Sequence, residues 1–222
     1  GSVATLAAAA SVLRGYDDAL AKECLDTAIR IWNEEHANPT PARGGPGGPG
    51  AGAVSADEWN AAIQLVIATS GGEPYKKRLL EMFPTMMQRF GFGGWSAVHV
   101  LSYLDADFRN QFEAALRKYI VQLDKELSAT PFGVPPTRGG WGGSAGVMDL
   151  GVRMYFLHKA FPDIVSKDYT LRVANYILGT HPVSSSSYVS GVGTRSHLKA
   201  YGNNRADQSY IPGGVIPGYV II

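Results

Sequence analysis

The sequence predicts an all-α fold, and three observations carry that reading. Apolar residues recur every three or four positions through most of the chain, the period of a single buried helix face. Residues that start and stop helices bracket these stretches. Two-residue alternation is confined to residues 187–190 and 215–222, and neither run is bounded as a central strand is. About seven or eight helices follow from this spacing.

The first is an alanine-rich helix over residues 3–13. It is read as a helix rather than a secretory leader, because no basic segment precedes it and a charged helix follows at once. Leu20, Cys24, Ala28 and Trp32 then recur at four-residue intervals, flanked by Leu25 and Ile29. Ser55 and Glu58 have capping-box spacing, so each can satisfy a free amide at a helix start. Trp59, Ala62, Ile63, Val66 and Ile67 share one face before Ser70-Gly71-Gly72 ends that helix. Pro74 suits the first turn of the next, which carries Leu79, Leu80, Phe83, Met86, Met87 and Phe90. Asp105 caps a long helix bearing Phe108, Phe112, Ala115, Tyr119, Leu123 and Leu127. Another begins at Ser144 with Val147, Leu150, Met154, Leu157 and Phe161, and the last runs over residues 166–178 to Gly179.

Composition narrows the function. The 222 residues carry 20 Lys+Arg against 19 Asp+Glu, a formal charge of +1, which excludes an electrostatic nucleic-acid binder. The single cysteine, Cys24, excludes an internal disulfide framework and a Cys-rich zinc site. No segment reaches the roughly 18 unbroken apolar residues of a membrane span. The histidines His36, His99, His158, His181 and His197 lack metal-ligand spacing, so no metal and no cofactor is expected. Asp149, set between Met148 and Leu150 in a helix, reads as a paired structural acid.

Glycine is over-represented, at 27 residues against roughly 16 for an average chain of this length. Residues 44–52 form a Gly- and Pro-rich loop, and other glycines flank Trp95 and Trp141 at helix junctions. A flat aromatic face with no side chain beside it can stack on a sugar ring. Trp32 and Trp59 instead fit buried helix faces. Residues 180–222 form an irregular tail with a dense polar cluster: His197, Lys199, Tyr201, Asn203, Asn204, Arg205 and Asp207. Amide pairs and a guanidinium fork suit a ligand rich in hydroxyls.

The order of four motifs then resembles the C-terminal two-thirds of a glycoside hydrolase family 9 (cellulase-like) catalytic domain. Asp57-Glu58-Trp59-Asn60-Ala61-Ala62 with Ala68-Thr69 is similar to the family's D-E-x-x-x-A-A…A-T helix. Thr130-Pro131-Phe132-Gly133-Val134 with Trp141-Gly142 is similar to T-P-x-G-L…W-G. Asn175-Tyr176-Ile177-Leu178-Gly179 with Pro182, then Ser187-Tyr188-Val189-Ser190-Gly191-Val192-Gly193, is similar to Y-I-L-G-x-N-P…S-Y-V-x-G-x-G.

The resemblance implies an incomplete (α/α)6 barrel over residues 1–222, with residues 180–222 as a substrate-cleft segment. It implies an inverting O-glycosyl hydrolase of β-linked glucan or a related oligo- or polysaccharide, in a secreted or periplasmic setting. Trp95, Trp141, Tyr201, Asn203, Asn204, Arg205 and Asp207 are then the expected substrate contacts. Where the family carries His-His-Arg, this chain has Asn203-Asn204-Arg205, which points away from an ordinary cellulose preference. The family's paired aspartates and late acid glutamate have no counterpart here, so the catalytic carboxylates are expected outside this segment, in the remainder of the domain. Asp207, two residues from Arg205, is expected to be a paired carboxylate rather than an acid catalyst. The alternatives are a non-catalytic carbohydrate-binding toroid, and a polysaccharide lyase with Tyr201 or His197 as base and Arg205 holding a uronate.

Overall fold

The computed structural model describes residues 1–38, 55–136, 143–181, 184–197 and 211–217. In chain order these form α1 (Ser2–Leu13), α2 (Asp18–Ala37), α3 (Ala56–Ala68), α4 (Glu73–Gln88), a 3-10 helix (Gly94–Tyr103), α5 (Ala106–Ser128), α6 (Ser144–Ala160) and α7 (Asp168–Ile177). Among the described residues β pairing is limited to two isolated bridges, Ser187 with Ser196 and Val189 with Val215. The second joins the two stretches where the sequence alternates, and the first has one partner, Ser187, in them. The chain divides into two compact units, Gly1–Leu116 and Arg117–Ile222, with the division inside α5.

In the first unit α3 is the central element, packed by α1, α4 and the 3-10 helix. Trp59, Ala62, Leu65 and Val66 have no solvent exposure, and Ala61 and Ala68 are buried as well, so this short helix is enclosed on nearly every side. Such burial explains why its sequence is apolar beyond a single stripe. Arg14, just after α1, donates from Nη2 to the Ala68 carbonyl at 2.7 Å, satisfying an acceptor left open at the end of α3. Ser70 and Gly71 both take positive φ there, which turns the chain into α4. Pro74 lies in the first turn of α4, where its missing N–H costs nothing.

Two apolar stripes differ from the sequence expectation. In α2 the buried residues are Ala21, Ala28 and Trp32, while Leu20 is 44% exposed. The packed side of α2 is built on alanines, which let helices approach closely, so the buried face starts one residue later than the leucine suggests. In α4 Tyr75 and Met82 join the core, while Leu80 points out at 45% exposure. The 3-10 helix was not anticipated from periodicity, because its three-residue turn imitates neither the α nor the strand pattern.

In the second unit α6 packs along α7. Their approach is closest at Gly151, where a Cβ would lie 2.7 Å from Val173 Cγ1. Arg153 on α6 bonds the hydroxyl of Tyr119 at 2.9 Å and the carboxylate of Asp149, so Asp149 is the paired acid its surroundings suggested. Tyr169 donates its hydroxyl to Asp124. Burial, and then this bond to a carboxylate, push its phenol pKa upward.

Candidate functional site

Of the seven expected substrate contacts, the structure describes Trp95. Trp141, Tyr201, Asn203, Asn204, Arg205 and Asp207 lie outside the described residues, as does the 44–52 loop. Two sets of motif residues are therefore built up separately, one in each unit.

The first surrounds Trp95. Gly93 and Gly94 bring the chain from α4 onto the 3-10 helix against the end of α4 itself. A Cβ on Gly94 would lie 2.3 Å from the Met86 carbonyl oxygen, so only glycine fits. Trp59, in the Asp57–Ala62 motif, donates its indole N–H to the Gly93 carbonyl at 3.1 Å and to Ser96 Oγ at 3.0 Å. Ser96 in turn donates to the same carbonyl at 2.8 Å. Trp59 is thus the core tryptophan expected, but its polar edge also fixes the turn that presents Trp95. Trp95 is half-buried, with its ring edge-to-face on His99 at 5.9 Å. Burial lowers the His99 pKa and favours the neutral imidazole. Phe92 on the same turn is 69% exposed, with the Arg89 guanidinium over its ring at 4.8 Å. Phe92 was passed over in the sequence, although its place between glycines is the same signal that marked Trp95.

Glu58 supports this corner from the other side. Ser55 Oγ caps α3 by accepting from the Glu58 amide at 2.9 Å, as expected. The Glu58 carboxylate does not complete a capping box. It accepts from Arg78 Nε at 2.6 Å and lies 3.3 Å from His36 Nε2. Burial works to raise its pKa, but the Arg78 bond and charge, with His36, outweigh it and leave the pKa lowered.

The second set joins three of the sequence motifs. Phe132, Tyr176, His181 and Tyr188 form a run of rings, with centroid separations of 5.7 Å, 4.8 Å and 4.8 Å in that order. His197 continues it 6.3 Å from Tyr188 and is exposed. Gly179 permits the arrangement: its φ is +104°, and a Cβ there would lie 2.9 Å from backbone atoms of residues 185–187. Ser187 and Ser190 are fully buried. Ser187 Oγ accepts from the Val189 amide at 3.0 Å, and Ser190 Oγ donates to the His197 carbonyl at 2.7 Å. Backbone bonds from Tyr188 to the Ile177 carbonyl and from Ile216 to the Tyr188 carbonyl tie the loop to α7 and to the closing segment. The apparently irregular tail is therefore pinned over residues 184–197. The sequence displayed each aromatic inside a motif, yet their contact depends on the long-range loop and was not foreseen.

Among the described residues, no group of three or more His, Cys, Asp or Glu side chains could hold a metal ion. No described helix is long and apolar enough to cross a membrane.

Comparison with known proteins completes the picture. No curated protein sequence matches the chain. Among solved structures, AaCel9A in complex with cellobiose-like isofagomine matches with a TM-score of 0.74 at 20% identity, covering 98% of this chain and 44% of that one. A D468A mutant of a thermostable endoglucanase from Alicyclobacillus acidocaldarius gives 0.73 at 19%, with the same coverage. The catalytic domain of Clostridium thermocellum CelT gives 0.63 at 18%, covering 99% of this chain and 54% of that one. The chain thus spans about half the length of the structures it matches, or less. Such identities speak to the fold, an incomplete (α/α)6 helical toroid. The family model for Glycosyl hydrolase family 9 matches residues 1–218, and the chain belongs to that family.

Proposed function

We propose that this chain is part of a glycoside hydrolase that cleaves a β-linked glucan, or a related oligo- or polysaccharide, with inversion of the anomeric centre. The observation that carries the reading is the family match across residues 1–218. Endoglucanases among the matching structures support a β-glucan as the substrate class. Trp95 and Trp141 are the proposed stacking surfaces, with Tyr201, Asn203, Asn204, Arg205 and Asp207 binding hydroxyls. Residues 1–222 form one partial barrel domain in this reading, with residues 180–222 lining the cleft. The setting is secreted or periplasmic.

Inversion requires one carboxylic acid at the leaving oxygen and a carboxylate holding water on the opposite face, roughly 6.5–9.5 Å apart. Three described acids are engaged elsewhere: Glu58 with Arg78, Asp149 with Arg153, and Asp105 in capping α5 through the Phe108 amide. We place both catalytic carboxylates in the remainder of the domain. Asn203 and Asn204, standing where the family carries two histidines, favour a related glycan over ordinary cellulose, and the lack of matching catalytic acids in this segment keeps a second reading, a toroid that binds glycan without cutting it.

Proton NMR of the first product released by the complete protein tests the proposal. Inverted anomeric configuration at the new reducing end is expected. Retained configuration overturns the mechanism, and oligosaccharide binding without new reducing ends selects the binding toroid.

A further inference from the structure

The first unit holds a polar cavity that the proposed cleft chemistry does not use. Its volume is about 890 Å³, and it lies between the start of α4, residues 73–81, and the end of the 3-10 helix, residues 102–105. That volume falls within the range of small-molecule sites, about 300–1,000 Å³. Trp95 stands at the other end of the same two elements, and the 16 residues of α4 span roughly 24 Å. The cavity is therefore separate from the Trp95 corner.

The lining selects its ligand. Its charges are mixed, with the carboxylates of Glu73, Glu81 and Asp105 beside the ammonium groups of Lys76 and Lys77. Most are already engaged: Glu73 with Lys76, Glu81 with Arg78, and Asp105 with the Phe108 amide. A free anion would meet three carboxylates and a free cation two lysines, so the lining favours neither. Among the described residues, the side chains of Lys77, Ser102 and Tyr103 have no hydrogen-bond or ion-pair partner. They offer an ammonium donor and two hydroxyls, each able to donate and accept. Leu80, 45% exposed, and the half-buried Tyr103 ring add apolar surface. Gly71, at a φ of +96°, lies beside that ring with no side chain to cover it, a Cβ there being 3.4 Å from Tyr103 Cδ1. This is the pairing of glycine and aromatic that marked Trp95. Apolar surface beside uncommitted donors and acceptors suits a neutral ring rich in hydroxyls.

We propose that this cavity is a second saccharide site, which binds a short stretch of neutral glycan through Tyr103, Ser102 and Lys77, away from Trp95. Its preference for a neutral sugar follows from the lining, and only the choice of a β-linked chain rests on the function proposed above. A polymer bound there is tethered to the domain, which raises its effective concentration at the cleft.

The test uses the complete protein and thio-linked cellotetraose, which resists hydrolysis, carrying a diazirine at its reducing end. Photolysis is expected to attach it to peptides containing residues 73–81 or 102–105. Excess unlabelled thio-linked cellotetraose should suppress this capture, and inorganic phosphate should not. Tyr103→Ala and Lys77→Ala, the latter at an exposed position, are each expected to weaken capture about fivefold or more. Tyr103→Phe, which keeps the ring and removes the hydroxyl, replaces Tyr103→Ala if that variant does not fold. Trp95→Ala should leave capture unchanged. No capture at these peptides, capture that survives both substitutions, or competition by phosphate overturns the proposal. So does loss of capture in Trp95→Ala, which would make the cavity part of the cleft. Failure of the complete protein to release reducing ends overturns the glycosidase reading alone, because capture needs no cleavage.

Discussion

Gly94 shows how much a single residue can decide at the turn beneath Trp95. Its missing Cβ leaves room for the Met86 carbonyl oxygen, which a methyl group would approach to 2.3 Å. The obstacle is backbone at the end of α4, so no rotamer change relieves it. Gly94→Ala is expected to cost about 1–3 kcal/mol by overpacking, read as a lower urea midpoint with an unchanged slope. An unchanged midpoint would show that α4 and the 3-10 helix are free to part. The sequence displayed a glycine pair before Trp95 and suggested bareness around an aromatic. The operative reason, a close approach between segments eight residues apart, was not visible, because it depends on where α4 ends. Trp59 teaches the same lesson in reverse. Its helical spacing placed it in the core, and it is fully buried there. Its bonds to Gly93 and Ser96 had no signature in the periodicity.

Between elements, Glu58 is the clearest case of a local rule overtaken by a tertiary one. Local spacing makes it a capping residue of α3, and the fold instead sets it against Arg78 of α4 and His36 of α2. An ion pair holds the two helices more firmly than a second capping bond holds one, since the donor as well as the acceptor is charged. Glu58→Gln keeps the shape and removes the charge. With the Arg78 side chain 36% exposed, solvent screening trims the effect, and a loss of about 1–2 kcal/mol is expected at neutral pH. The pH dependence has a definite sign. The folded-state pKa of Glu58 is lowered, so its contribution is fully present above the ordinary value of 4.5 and disappears as pH falls through the folded pKa. The stability gap between wild type and Glu58→Gln, measured by denaturation from pH 7 to pH 3, should therefore begin to narrow below about pH 4.5. A gap that does not narrow at all over this range would show that packing, not charge, sets it. Helix existence and capping were legible at this scale for α3, α4 and α5. Burial phase was legible only where the buried side was large and apolar. It slipped in α2, whose packed side is marked by Ala21 and Ala28 rather than by Leu20.

At the scale of the whole molecule, the family was legible because its motifs encode helix junctions: a buried helix at residues 57–62, a turn at 130–134, and a pinned loop at 187–193. Around the last of these the structure displays steric reasons for the residue types, the Gly179 backbone approach and the buried Ser187 and Ser190. The chemistry of cleavage was legible only as something missing. Glu58, the acid set deepest between α3 and α4, is paired with Arg78 and held ionised, the wrong state for protonating a leaving oxygen. Asp149 is tied to Arg153, and Asp105 to the start of α5. Residues 1–222 expressed alone are therefore expected to release no reducing ends from soluble β-glucan between about pH 4 and 9, under conditions where the complete protein does. Restoring the remainder of the domain should restore turnover if, as proposed, it supplies the acid and base and this chain the stacking and hydroxyl contacts. Turnover by the 222 residues alone, abolished by substituting one of their own carboxylates, would place a catalytic acid within this segment and refute the division of labour drawn here.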